Sequence, residues 1–332
     1  MSGPYALGID FGGTKVLAAI VDLSTGEVVT SQKKRTNPAD GPDELMGRIY
    51  EVGEAALKSW TAGKKERIAG VGVGIAGQVD TEKGILLGAP NLSQASVDIP
   101  ITKLLSERFG APAALRNDVQ IAAMGEAKFG AGKGVDDFIC AFVGTGIGGA
   151  IVRGGVLVPG ASGTAGGIGH IVVDANGRLC GCGGRGHLEA YASRPAITKA
   201  ILGEIRRGRT TVLKQMIEGG REQEGGGAIR SGILAKAVAE KDELAVEAVT
   251  EAATYLGYGL ASLVNFLNPR RIILGGGVIE AVDLLFTVAV GRARREALTT
   301  PAKTVDIVKA GLGDDAGVVG AALLGGQAAQ VA

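Results

Sequence analysis

The stretch Tyr5-Ala6-Leu7-Gly8-Ile9-Asp10-Phe11-Gly12-Gly13-Thr14-Lys15-Val16-Leu17-Ala18-Ala19-Ile20-Val21 decides the reading of this chain. Two short apolar runs flank a glycine-rich turn, a pattern that predicts a β-hairpin. In the turn, Gly12 and Gly13 let backbone N–H groups approach a phosphate, while Thr14 adds a hydroxyl and Lys15 a charge. Asp10 stands where the first strand ends. It is not a Walker A loop, because no Gly-Lys-Ser/Thr follows at the required spacing and a strand, not a helix, comes next. Taken alone, the same residues also describe an ordinary tight hairpin.

The outline recurs. Phe138–Val143 is a continuous apolar strand, Gly144-Thr145-Gly146-Ile147-Gly148-Gly149 the turn and Ala150–Val152 the return strand. Two such hairpins predict two similarly built halves, each offering a phosphate loop to a cleft between them. Between the hairpins, Asp43–Thr61 reads as an amphipathic helix and Ile68–Gly77 as a glycine-laced strand buried on both faces. The loop Gly88–Leu92 carries Asn91, a turn former or a polar contact. Ile101–Phe109 reads as a helix, Ala113–Arg116 as a strand and Val119–Phe129 as a helix. Asn117 and Asp118 lie at that strand end, where ligands gather in α/β sheets. Asp118 has two readings, the helix N-cap and a general base for a hydroxyl.

After the second hairpin, Pro195–Arg207 and Ile233–Asn265 read as helices. The polar segment Gly219–Gly227, within an insert over 208–232, reads as a surface loop. Strand Ile272–Leu274 runs into Gly275-Gly276-Gly277, which can admit a flat ring or a phosphate close to the backbone. Val305–Val308 is a last strand and Ala316–Leu324 a closing helix.

Both histidines of the chain and two of its three cysteines fall within eighteen residues, as His170, Cys180, Cys182 and His187. Zn²⁺ favours four such donors in a tetrahedron, so this spacing predicts a structural zinc site; the alternative is a glycine-rich loop with incidental Cys and His. Cys140, inside a strand, reads as an inert buried side chain.

Composition sets the outer limits. The 332 residues suit two medium domains or one large one. A net charge of +1 implies no basic surface for nucleic acid or anionic lipid. Three cysteines make no disulfide framework. Nothing ahead of Tyr5 reads as a signal peptide and no apolar run spans a bilayer, so a cytoplasmic protein is expected.

The order of three glycine-rich turns, Asn117-Asp118 and the His/Cys stretch resembles the ROK family (repressors, open reading frames and sugar kinases). The resemblance covers essentially the whole chain. Its most specific part is Gly169-His170 followed by Cys180-Gly181-Cys182-Gly183-x-x-Gly186-x-x-Glu189. It implies the actin-like ATPase (ribonuclease H-like) fold, two α/β domains around a central cleft: a small one over 1–116 and 315–332, and a large one over 117–314 with the zinc-binding loop. Within the family, the resemblance is to glucokinase-type enzymes. These phosphorylate the 6-hydroxyl of a hexose with ATP and Mg²⁺; glucose is the default sugar, with fructose, mannose, allose and N-acetylmannosamine as variants. Asp10, Gly12, Gly13, Thr14 and Lys15 would form the first phosphate loop. Gly144, Thr145 and Gly146 would form the second, and Gly275, Gly276 and Gly277 would lie against the adenosine. Asn91, Asn117, Asp118, His170 and Glu189 would hold the sugar, with Asp118 the catalytic base. His170 would serve both zinc and sugar through its two ring nitrogens, and Asp10 would neighbour Mg²⁺. A homodimer is also implied.

Two departures stand out. His187 occupies the place of the family's third cysteine. Gly167 stands three residues before His170, where the family commonly carries a sugar-contacting Glu. The family's repressors carry a helix-turn-helix domain ahead of the kinase-like part. Here the first loop begins at Asp10 and the chain is not basic, so a kinase is expected rather than a repressor or a silent sugar-binding protein.

Overall fold

The computed structural model describes residues 4–13, 15–36, 41–61, 67–88, 98–219 and 229–331. Thr14, Asn91 and nearly all of the 219–227 segment lie outside them. The chain divides into two compact units: Met1–Asp136 with Ala150–Ala165 and Ala310–Ala332, and Asp137–Gly149 with Gly166–Lys309.

The first unit is built on β1 (Tyr5–Phe11), β2 (Lys15–Asp22), β3 (Val28–Arg35), β4 (Val71–Ile75), a small ribbon of β5 (Gln78–Asp80) and β6 (Ile85–Gly88), and β7 (Ala113–Asn117). The sheet order is β3-β2-β1-β4-β7. β1, β2 and β3 form an antiparallel meander, whereas β4 and β7 join parallel to β1. Residue alternation explains why both faces are covered. Leu7, Ile9, Phe11, Val16, Ala18 and Ile20 pack with Leu45, Ile49, Val52 and Trp60 of the helix Pro42–Thr61. Ala6, Leu17, Ala19 and Val21 face Val318, Val319 and Ala322 of the helix Ala316–Val331.

That second face is set by absent side chains. A Cβ at Gly72 would stand 1.7 Å from Ala321 O, so strand and helix backbones touch directly. A Cβ at Gly320 would stand 1.7 Å from Ile121 O, which brings the helix Asp118–Phe129 against the same C-terminal helix. The first unit therefore runs past Asn117, the boundary expected from the sequence.

The second sheet comprises β8 (Phe138–Val143), β9 (Ile147–Arg153), β10 (Val156–Leu157), β11 (Arg271–Gly275) and β12 (Asp306–Lys309), in the order β10-β9-β8-β11-β12. A returning β9–β10 hairpin and parallel β8–β11–β12 repeat the plan of the first sheet, as the two matched hairpins implied.

The region 233–265, read as one helix, is two: Ser231–Ala239 and Glu243–Leu267. Lys241 takes φ 61°, which breaks the helix. Asp242 then caps the second helix, accepting from Ala245 N at 2.9 Å, from Thr211 Oγ1 at 2.9 Å and from Val212 N at 3.0 Å. Among the described residues, no helix is long and apolar enough to cross a membrane.

Candidate active site and metal centre

In the first unit, the parallel strands deliver polar side chains at their C-terminal ends. Asp10 stands near the end of β1, and Asn117 ends β7. The N-cap is Asn117, not Asp118: its Oδ1 accepts from Val119 N at 3.0 Å and Gln120 N at 3.4 Å, and its Nδ2 donates to Gly77 O at 3.2 Å. This corrects the capping alternative for Asp118. Asp118 opens the helix with its Oδ1 accepting from Val119 N at 3.0 Å.

Burial holds the Asp118 carboxyl above the ordinary carboxylate range, against the opposing pull of the hydrogen bonds from Val119 and Asn117. Burial raises Asp10 too, to about 7, with the charges of Asp118 and Asp314 adding to the effect and Lys15 opposing it. Two carboxyls in one field, both shifted toward neutrality, suit proton acceptance and cation binding. Lys15 Nζ pairs with Asp314 at 3.0 Å across an exposed surface. The backbone of the first turn closes through Gly12 N donating to Lys15 O at 3.0 Å.

Behind these groups lies a residue that the sequence did not single out. Glu126 is fully buried. Its carboxylate accepts from Ala131 N at 2.7 Å, Gly311 N at 2.9 Å and Leu312 N at 2.9 Å. It thereby ties the end of the Asp118 helix to the turn that leads into Ala316–Val331. Gly317 on that last helix lies against Asp10: a Cβ there would be 2.5 Å from Asp10 Oδ2.

In the second unit, His170, Cys180, Cys182 and His187 converge, with ligand atoms all within 4.8 Å of one another. The two histidine Nδ1 atoms are 3.4 Å apart, Cys182 Sγ is 3.2 Å from His187 Nδ1, and Cys180 Sγ is 4.0 Å from His170 Nδ1. A zinc tetrahedron with ordinary bond lengths has edges of about 3.3 Å for N···N and about 3.6 Å for S···N, so the donor set fits this metal. Ligation through Nδ1 leaves His170 its Nε2 for another partner. The bulkier His187 is accommodated by Gly184, where a Cβ would stand 2.3 Å from the imidazole. Hydrogen bonds hold the loop. Tyr191 Oη donates to Asp174 at 3.0 Å and accepts from Arg178 N at 2.7 Å.

Glu189 joins this knuckle to the second glycine turn. Its Oε2 accepts from Ile147 N at 2.8 Å, and Cys180 Sγ lies 3.9 Å from its Oε1. Gly144 N donates to Gly146 O at 2.9 Å, closing the turn tightly. The glycine triplet flanks the strand that feeds it. Gly276, at φ 91°, would put a Cβ 2.5 Å from Val143 O, and Gly275 would put one 2.5 Å from the Phe142 ring. Both positions therefore exclude side chains. A Cβ at Gly167 meets nothing within 4 Å, so the site lacks a carboxylate there but has room for one.

The ROK family model matches residues 6–328. A glucokinase of Halalkalibacterium halodurans is 32% identical over 321 residues, 96% of this chain and 94% of that protein. The structure of a ROK family glucokinase from Streptomyces griseus, in complex with glucose and AMPPNP, superposes with a TM-score of 0.82 at 34% identity, covering 97% of this chain and 99% of that one. A ROK family transcriptional regulator, a homologue of the E. coli MLC protein, gives a TM-score of 0.82 at 26% identity, covering 98% of this chain and 78% of the regulator.

Proposed function

Because this chain belongs to the ROK family, we propose that it is a sugar kinase that transfers the γ-phosphoryl group of ATP to the 6-hydroxyl of a hexose, glucose foremost. One observation carries the reading. Asp118 sits at a strand end, relieved of capping by Asn117, with burial raising its proton affinity. A carboxylate in that state accepts a hydroxyl proton near neutral pH better than an exposed one. The full-length similarity to the Streptomyces griseus enzyme holding glucose and AMPPNP supports the same pair of ligands.

In this reading Asp118 takes the proton as the hydroxyl oxygen bonds to the γ-phosphorus. Asn91, Asn117, His170 Nε2 and Glu189 Oε1 supply complementary donors and acceptors to the remaining hydroxyls. The glycine turns at Gly12–Lys15 and Gly144–Gly146 hold phosphates by backbone N–H groups, and Gly275–Gly277 admit the adenosine. Phosphoryl transfer needs mainly positioning and charge neutralisation, which Mg²⁺ accompanying ATP supplies. Asp10, an oxygen donor with raised proton affinity, is the group that would neighbour this ion. Zinc on His170, Cys180, Cys182 and His187 would fix the imidazole of His170. The test is ADP release across a panel of hexoses. Turnover with glucose above that with the other sugars is expected, and a flat response to every sugar would overturn the proposal.

A further inference from the structure

The second glycine turn is gripped by Arg194. Arg194 opens the helix Arg194–Arg206. Its backbone N–H donates to Gly144 O at 2.9 Å, and its Nη2 donates to Thr145 Oγ1 at 3.2 Å. Its Nε–H is buried without a hydrogen-bond partner among the described residues. No carboxylate among them pairs with the guanidinium.

Three features of this placement are unfavourable for a cation. Burial lowers its proton affinity below the ordinary arginine range. It stands in the first turn of a helix, whose dipole repels positive charge. Among the described residues it has no counter-ion. Such a group is held at a cost, which an anion at the turn would offset.

The hydrogen-bond chemistry gives the charge a direction. Guanidinium has donors and no acceptor, so in its contact with Arg194 the hydroxyl of Thr145 must be the acceptor. The Thr145 proton is then left to donate, and the adjacent positive charge makes it a stronger donor. At the end of the turn, Glu189 accepts the Ile147 N–H. The turn is thus held at two points, with the cation at the hydroxyl.

We propose that Arg194 is a positioning residue for nucleotide phosphate: it orients Thr145 as a hydrogen-bond donor and adds positive charge at the Gly144–Gly146 turn, matching a nucleoside triphosphate. The inference rests on the reading of this turn as a phosphate loop. In the sequence, its signal is an arginine between the N-cap Ser193 and Pro195, where a helix start favours acidic residues.

The experiment measures binding of AMPPNP, adenosine and glucose by titration calorimetry to the full chain and to Thr145→Val, Arg194→Gln and the double variant. Arg194→Gln is expected to weaken AMPPNP about tenfold, the scale of one charge-assisted contact, while adenosine and glucose stay within about twofold of wild type. The double variant is expected to weaken AMPPNP by less than the product of the two single effects, because part of the effect of Arg194 runs through that hydroxyl. Equal weakening of adenosine and AMPPNP would assign Arg194 a structural role and overturn the proposal. So would unchanged AMPPNP affinity in folded Arg194→Gln, or full additivity. If Thr145→Val itself leaves AMPPNP affinity unchanged, the phosphate-loop reading fails as well; if only Arg194→Gln does, that reading stands and this inference falls. Should Arg194→Gln not fold, Arg194→Lys, which keeps the charge but loses the fork, is expected to weaken AMPPNP and spare adenosine. Equal binding of AMPPNP by that variant and wild type would overturn the proposal.

Discussion

Replacing Asp10 with Asn separates what the carboxylate does for function from what it does to stability. The folded chain holds this group at about 7, against 3.8 for an ordinary aspartate. Burial is the first cause, followed by the charge of Asp118. The sign follows from proton binding. Between pH of about 4 and about 7 the folded state keeps a proton that the unfolded state has released, so stability falls as pH rises through that window. The full shift corresponds to about 4 kcal/mol at most, reached above pH 7. Asparagine is isosteric and neutral, so it removes the slope. Urea unfolding of the nucleotide-free protein, with Mg²⁺ chelated, measures this directly. The stability gained by Asp10→Asn is expected to be larger at pH 8 than at pH 5 by about 2.5 kcal/mol, and phosphoryl transfer is expected to collapse. A gain equal at the two pH values would refute the buried-carboxylate reasoning, as would a variant less stable than wild type at pH 8.

Further outcomes follow from other parts of the structure. Elemental analysis should find about one zinc per chain, the capacity of a four-donor site, and Cys182→Ser should lose it; zinc-free wild type would remove the metal from the account. Glu126→Ala removes an acceptor shared by three backbone N–H groups, so chemical denaturation should register a loss of about 1–3 kcal/mol; unchanged stability would contradict the clamp. Gly167→Glu enters open space, so the variant should fold as wild type and change the Kd for glucose relative to mannose. Unchanged affinity for both sugars would show that this position does not face the ligand.

Much of the fold could be read because its signals are local. The paired hairpins, the strand ending at Asn117 and the Cys-Gly-Cys knuckle each carry their pattern within a few residues. What escaped depends on neighbours distant in sequence. β3, Val28-Val29-Thr30-Ser31-Gln32-Lys33-Lys34-Arg35, is a polar edge strand whose apolar content is too low to announce it. Gly72 and Gly320 are each where two backbones distant in sequence meet, which their own neighbours in the chain do not announce. The break at Lys241 interrupts an apolar period that continues on both sides, so periodicity alone joins the two helices. Within the candidate site, residue type pointed to Asp118 and to the His/Cys cluster. It could not show that Asn117 takes the capping role, that Glu126 ties the end of the Asp118 helix to the turn at Gly311, or that Arg194 bonds the Gly144–Gly146 turn, because those contacts are hydrogen bonds closed across the fold.

The most direct test of the central claim is the rate of phosphoryl transfer from ATP to glucose by Asp118→Asn, measured alongside glucose binding. With Asp118 as the base, the rate should fall by about 10²–10⁴-fold while the variant folds and still binds glucose. A near-wild-type rate in the folded variant would contradict the account.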